Sequence, residues 1–312
     1  MNNKILSITA NSWESARKLA DHLGLWSFRG QEDATWDLES SAERARKDNY
    51  ESREHPRLEI DMEAIEAELI YEMKRRVYHY VPHPPADSDN LEWLALLQHY
   101  GCPTRLLDFT HSFYVAAFFS VETAKTDSAI WAVDHSKIDL SLNNKLGLDT
   151  TLWSMDLSDV NKRKIEVVEG YIGQEKRDHN LVVDVEPIHL SERVSIQQGL
   201  FLFPLNADVT FMQNLLATFD ILTEQFGQAM ANPIRSDKVT YEQINSASVI
   251  KLILPKGCHA TTIFDLKEMN ITAATLFPGL DGYARSLKIR FRYPVDDDLY
   301  NNWREFKSRS EQ

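Results

Sequence analysis

Apolar residues recur along this chain with two different periods, and the periods predict most of its elements. Over residues 11–23, Trp13, Ala16, Leu19, Ala20 and Leu23 fall at helical spacing and Gly24 supplies a stop. The segment Leu25-Trp26-Ser27-Phe28-Arg29-Gly30 that follows is short, aromatic and strand-like. Residues 39–58 are dense in charge and read as exposed. Ile60, Ala64, Ile65, Leu69, Ile70, Met73 and Val77 predict a helix over 59–80, which Val81-Pro82-His83-Pro84-Pro85 breaks. A second helix over 90–100 ends at Gly101. Ser112 to Val121 is almost continuously apolar and too long for an ordinary strand, so it predicts a buried helix. Strands are predicted at Ala129 to Val133, Leu181 to Val185, Gly199 to Pro204 and Ser248 to Leu254, and helices at 207–220 and 258–291. Residues 135–180 are polar and irregular, with some helix, and read as an insertion.

The order of these elements decides the fold class. Short strands are mixed with helices without the regular βαβ alternation of a doubly wound sheet. No repeat, low-complexity tract or Pro/Gly/Ser linker divides the chain. The prediction is an α+β fold, a single domain over residues 1–312 with a mixed short-stranded sheet core and helical decorations.

Composition narrows the function classes. A chain of 312 residues that is 43% hydrophobic and 26% charged fits a globular protein with a sizeable core. No stretch approaches ~18 uncharged apolar residues, so a membrane span is not predicted. The start, MNNKILSITANSWESARKLADHLG, lacks the basic-then-apolar order of a secretory signal. Two cysteines, Cys102 and Cys258, make no disulfide framework and no zinc spacing, so a reduced, cytoplasmic protein is expected and no metal site is predicted. With 34 Lys+Arg against 47 Asp+Glu, the formal charge of −13 speaks against an extended nucleic-acid surface. It leaves room for a local basic pocket.

The Walker A, G-x-G-x-x-G, H-E-x-x-H and G-x-S-x-G signatures are all missing. Three segments nonetheless set polar groups among apolar ones. In Trp26-Ser27-Phe28-Arg29-Gly30-Gln31, an Arg on an aromatic strand followed by Gly suits a fork aimed at phosphate or carboxylate with close backbone approach. The same Arg could equally reach water from a strand end. Leu97-Gln98-His99-Tyr100-Gly101-Cys102-Pro103-Thr104-Arg105-Leu106-Leu107-Asp108-Phe109-Thr110 packs polar groups between two apolar helices. It reads as a site, as a turn held by an Arg105–Asp108 pair with Thr110 capping the next helix, or as both. Arg193-Val194-Ser195-Ile196-Gln197-Gln198-Gly199-Leu200-Phe201 reads as a strand entered through a bulge, or as part of a site. His79, His83 and His99 are too irregularly spaced for a metal, and His99 suits a neutral, hydrogen-bonding imidazole. Cys102 lacks an identifiable activating base and reads as an inert thiol rather than a nucleophile. The acidic run around Glu54 to Glu68 reads as a solvated face.

Taken together, the segments resemble the FRG domain family, named for its (F/Y)-R-G motif, here Phe28-Arg29-Gly30. Its central motif, like Q-H-Y-G-x-P-T-R-L-L-D-(W/F)-T before an apolar helix, is matched within Leu97 to Thr110. A third, like R-x-x-x-Q-x-G-x-F, is matched by Arg193, Gln197, Gly199 and Phe201, and a late L-F-P-G-L-D-G segment by Leu276 to Gly282. The four motifs span about residues 20–290. The resemblance implies bacterial or phage-linked relatives, some suspected of defence or toxin roles. The motif order is also similar to the R-S-E arrangement of ADP-ribosyltransferases, which implies that fold and NAD as co-substrate. On that likeness Arg29 would bind the NAD phosphates, with Gly30 allowing close approach, and Thr104 or Thr110 would brace the nicotinamide half. The late catalytic turn would fall at Gln197-Gln198-Gly199, where a Glu is wanted. Asp108 and Glu192 are the nearest substitutes for the carboxylate that steadies an oxocarbenium-like transition state. Gln98, His99 and Tyr100 would line or order the pocket, and Arg105 and Arg193 would add anion-binding guanidiniums. The expected partner is a small anionic ligand such as a dinucleotide. The alternative is a non-catalytic module that senses a nucleotide or a phage component.

Overall fold

The computed structural model describes residues 4–51, 61–148, 157–174, 178–189 and 191–293. Among the described residues, eight strands form one mixed sheet: β1 (Ile5–Thr9), β2 (Trp26–Gln31), β3 (Leu107–Thr110), β4 (Ser128–Asp134), β5 (Val182–Val185), β6 (Gly199–Pro204), β7 (Ile234–Arg235) and β8 (Val249–Leu254). Their order is β5-β6-β3-β2-β4-β8-β1-β7. Every neighbouring pair from β5 to β8 is antiparallel, while β1 runs parallel to both β8 and β7.

Side-chain alternation along the central strands feeds two apolar layers. Phe28, Ile130, Ala132, Ile250 and Leu252 join Leu6 and Ile8 in one layer, which is closed by the helices Trp13–Ala20, Phe113–Val121 and His259–Glu268. Trp131, Val133 and Val249 point into the other, against Asn90–His99, His135–Leu146 and Phe211–Thr218. The Phe113–Val121 helix is buried on nearly every side, as an all-apolar helix must be. It lies so close to β2 that a Cβ on Gly30 would sit 2.0 Å from the Ala116 carbonyl oxygen and 2.5 Å from the Ser120 nitrogen. Gly30 therefore serves strand–helix packing on that side, a close approach different from the one expected toward a ligand.

Other expectations are also revised. Ser112, not Thr110, caps the Phe113–Val121 helix by accepting from the Val115 N–H at 3.3 Å. The 135–180 stretch is not peripheral throughout, because Ile138, Leu142, Val168, Tyr171 and Ile172 enter the core. The acidic run is not wholly solvated: Glu63 and Glu66 are buried, while 52–60 lie outside the described residues. The 39–58 stretch contains the helix Ser41–Glu51. Among the described residues, no helix is long and apolar enough to cross a membrane.

Candidate functional site: a cleft where the sheet splits

The strands β2 and β3 share only one paired position, Phe28 with Thr110. Each is paired along its length on its other side, β2 with β4 and β3 with β6. Beyond that single pair, Arg29–Gln31 and Leu107–Phe109 leave each other's edges free, and a cleft of about 650 Å³ opens there. That volume falls in the ordinary range of small-molecule pockets. Arg29, Gly30, Asp108 and Thr110 line it from the two strands. Gln98 and His99 reach it from the end of Asn90–His99, and Arg193 and Gln197 from the short helix Glu192–Ile196 and its cap.

The guanidinium of Arg29 bridges the split. Its Nη1 donates to the Asp108 main-chain oxygen at 2.6 Å and lies 3.9 Å from the Asp108 carboxylate. Its Nε is buried and has no hydrogen-bond partner among the described residues. Burial pulls the Arg29 pKa down, Asp108 opposes this and Arg44 adds to it. An Arg remains a cation under such a pull. The Asp108 carboxylate projects into the opening and is aimed by Gln98, whose Nε2 donates to Oδ1 at 2.6 Å. Gln98 is fixed in turn by the Thr104 hydroxyl, which donates to its Oε1. The His99 pKa is lowered by burial and by Arg193, which favours the neutral imidazole at pH 7.

Arg193 stacks on the Phe277 ring at 4.6 Å, and Arg285 lies 4.1 Å from the same ring. Arg285 is neutralised by Glu122 through two bonds of 2.7 and 2.5 Å. Among the described residues, no carboxylate lies within ion-pair distance of Arg193. Burial lowers the Arg193 pKa, against Asp108 and with Arg285. The late turn is held from behind: Gln197 Nε2 donates to the Leu276 carbonyl at 2.9 Å, and the Gln197 carbonyl accepts from Thr110 Oγ1 at 2.7 Å.

Four residues expected at the site, Arg105, Thr104, Tyr100 and Glu192, stand outside its lining. Arg105 pairs neither with Asp108 nor with the cleft. It is buried against Glu66, with bonds of 2.9 and 2.5 Å, donates to the Tyr171 carbonyl at 2.8 Å and stacks on Phe203. Thr104 is buried behind Gln98 and acts through it. Tyr100 is exposed beside the His99 ring, outside the lining. Glu192 is exposed and also outside the lining. Burial raises the Cys102 thiol pKa, in keeping with an inert thiol. The cleft further includes Trp36, Arg44, Phe277, Arg285 and the carboxylates Glu32, Asp37 and Glu39. Phe277 could have been drawn from the late motif, whereas Arg44 was masked by its charged surroundings.

The motifs of β2 and β3 converge on one opening, and both motifs lie in a stretch that matches a known family. Part of the chain matches the FRG domain. The match covers residues 24–129. The FRG segment thus supplies Arg29, Gln98, His99, Asp108 and Thr110, while Arg193, Gln197, Phe277 and Arg285 complete the cleft from beyond it. No curated protein and no solved structure matches the chain.

Proposed function

We propose that the cleft binds a small, phosphate-bearing nucleotide, and that the protein consumes NAD in the manner of an ADP-ribosyltransferase. The observation that carries this reading is the meeting of Arg29, Asp108 and Gln197, distant in sequence, in one opening of small-molecule size. Arg29 and Arg193 offer guanidiniums to a pyrophosphate. Asp108, aimed by Gln98, supplies negative charge for a ribose whose bond to nicotinamide is breaking. In that step the C1′–N bond electrons leave with nicotinamide, and water or an acceptor nucleophile supplies the new bond to C1′. The ADP-ribosyltransferase likeness rests on motif order, and the defence or toxin setting rests on the FRG resemblance.

A second reading has its own support. On the motif-order likeness, the turn Gln197-Gln198-Gly199 falls where the transferases place a Glu, and the Gln197 amide nitrogen is committed to the Leu276 carbonyl. That arrangement favours a non-catalytic nucleotide sensor. Incubation with NAD and detection of free nicotinamide separates the two. The enzyme releases nicotinamide, and both Arg29→Ala and Asp108→Ala abolish the release. The sensor gives no turnover, but NAD raises its melting temperature. With neither effect, NAD is not the ligand.

A further inference from the structure

Trp36 is out of place among the tryptophans of the described residues. Trp13, Trp26, Trp93 and Trp131 are all buried, whereas Trp36 is 53% exposed and lines the cleft. Its main chain is nevertheless pinned from below. Lys251, buried beneath it with its ammonium over the Trp131 ring at 4.7 Å, donates to the Trp36 carbonyl at 3.0 Å. Gln31 accepts from Trp131 Nε1 at 2.8 Å and donates to the Asp37 carbonyl at 2.9 Å. On the approach to Trp36, Asp33 receives the Thr35 N–H and hydroxyl at 2.8 and 2.6 Å, and Ala34 N–H bonds the Asp127 carbonyl at 2.8 Å. Among the described residues, no carboxylate lies within ion-pair distance of Lys251. Burying an ammonium against one carbonyl and a ring, with Asp37 and Asp33 acting only from longer range, is costly. The result is a rigid loop that holds a large aromatic ring in water, at the edge of an anion-binding cleft.

We infer that Trp36 is the stacking platform for the ligand's nucleobase, with Lys251 and Gln31 as positioning residues. This rests on the cleft reading above and deepens it: the guanidiniums take the phosphates and Trp36 takes the planar ring. A pinned indole loses little freedom on stacking, so the contact favours a nucleotide over a bare phosphate or sugar phosphate.

The test titrates the full chain with ADP-ribose and follows both heat and tryptophan fluorescence. Trp36→Ala is expected to weaken binding about 10-fold or more, since base stacking on an aromatic side chain is worth ~1–3 kcal/mol. Trp36→Phe is expected to stay within about 3-fold of the parent while losing the fluorescence change that ADP-ribose causes in the parent. Should Trp36→Ala fail to fold, the Trp36→Phe signature still decides. Parent-like binding by Trp36→Ala, or an unchanged fluorescence response in Trp36→Phe, would overturn the platform. If Arg29→Ala alone loses binding, the cleft reading stands and the platform falls. If the parent chain binds no ADP-ribose, both fall.

Discussion

Arg29 and Arg105 both come from the FRG segment, yet their surroundings are opposite. Arg105 is enclosed by Glu66, the Tyr171 carbonyl and the Phe203 ring, so its charge is answered within the fold. The neighbourhood of β5 behaves the same way. Lys164 lies between Asp184 at 2.8 Å and Asp139 at 2.6 Å, and His135 Nδ1 meets Asp184 at 2.7 Å. In the cleft, Arg29 rests on a main-chain carbonyl with its carboxylate at 3.9 Å, and Arg193 rests on a ring. An ion pair closed inside the protein builds structure. A guanidinium held by carbonyls and rings has much of its field unanswered within the fold, as the proposed anion site requires.

That contrast separates mutations that unfold the chain from mutations that empty the cleft. The largest loss is expected from Arg105→Met, which strands Glu66 in the core. Urea unfolding should show a cost of about 3–5 kcal/mol. Gly30→Ala comes next, because its Cβ would strike two main-chain atoms of the Phe113–Val121 helix. Overpacking of this kind costs about 3 kcal/mol, read from the same unfolding curves.

Asp184→Asn should cost about 2 kcal/mol near neutrality, since Lys164 keeps Asp139 as a partner. Its pH dependence is more telling. Burial alone would raise the Asp184 carboxyl, but Lys164 and His135 overcome it and hold the pKa well below the ordinary range. Its contribution is therefore present above the unfolded value, near 4, and is lost as pH falls through the folded one. The stability gap between parent and Asp184→Asn should narrow on acidification below about pH 4. A gap that widens there would break the argument. The smallest stability effect is expected from Arg193→Ala, below ~1 kcal/mol for a half-exposed cation on a ring. The same change should weaken nucleotide binding at least ~10-fold by calorimetry.

The sequence located the cleft better than it described its neighbours. Motif spacing brought Arg29, Gly30, Gln98, His99, Asp108, Thr110, Arg193 and Gln197 to one opening, because each motif carries polar groups at the end of an apolar element. β2, β6 and the Phe113–Val121 helix were legible because their aromatic or apolar runs match one period. β3 was hidden: it is four residues long, and its polar Asp108 and Thr110 resemble a turn. β1 and the helix Thr223–Ala231 were missed, the first for its position near the chain start and the second for its few apolar residues. The partner of Arg105 lies 39 positions away on the helix Met62–Arg76, and the ties beneath Trp36 run to β8. Long-range pairing of that kind leaves no local pattern to read.

The most direct measurement is calorimetric titration of the parent chain, Arg29→Ala and Arg193→Ala with ADP-ribose, with Arg105→Lys as the structural control. The account predicts saturable binding by the parent, loss or strong weakening in both cleft variants, and near-parent affinity in whatever fraction of Arg105→Lys remains folded. Absence of binding by the parent, or binding that neither cleft variant disturbs, would contradict it.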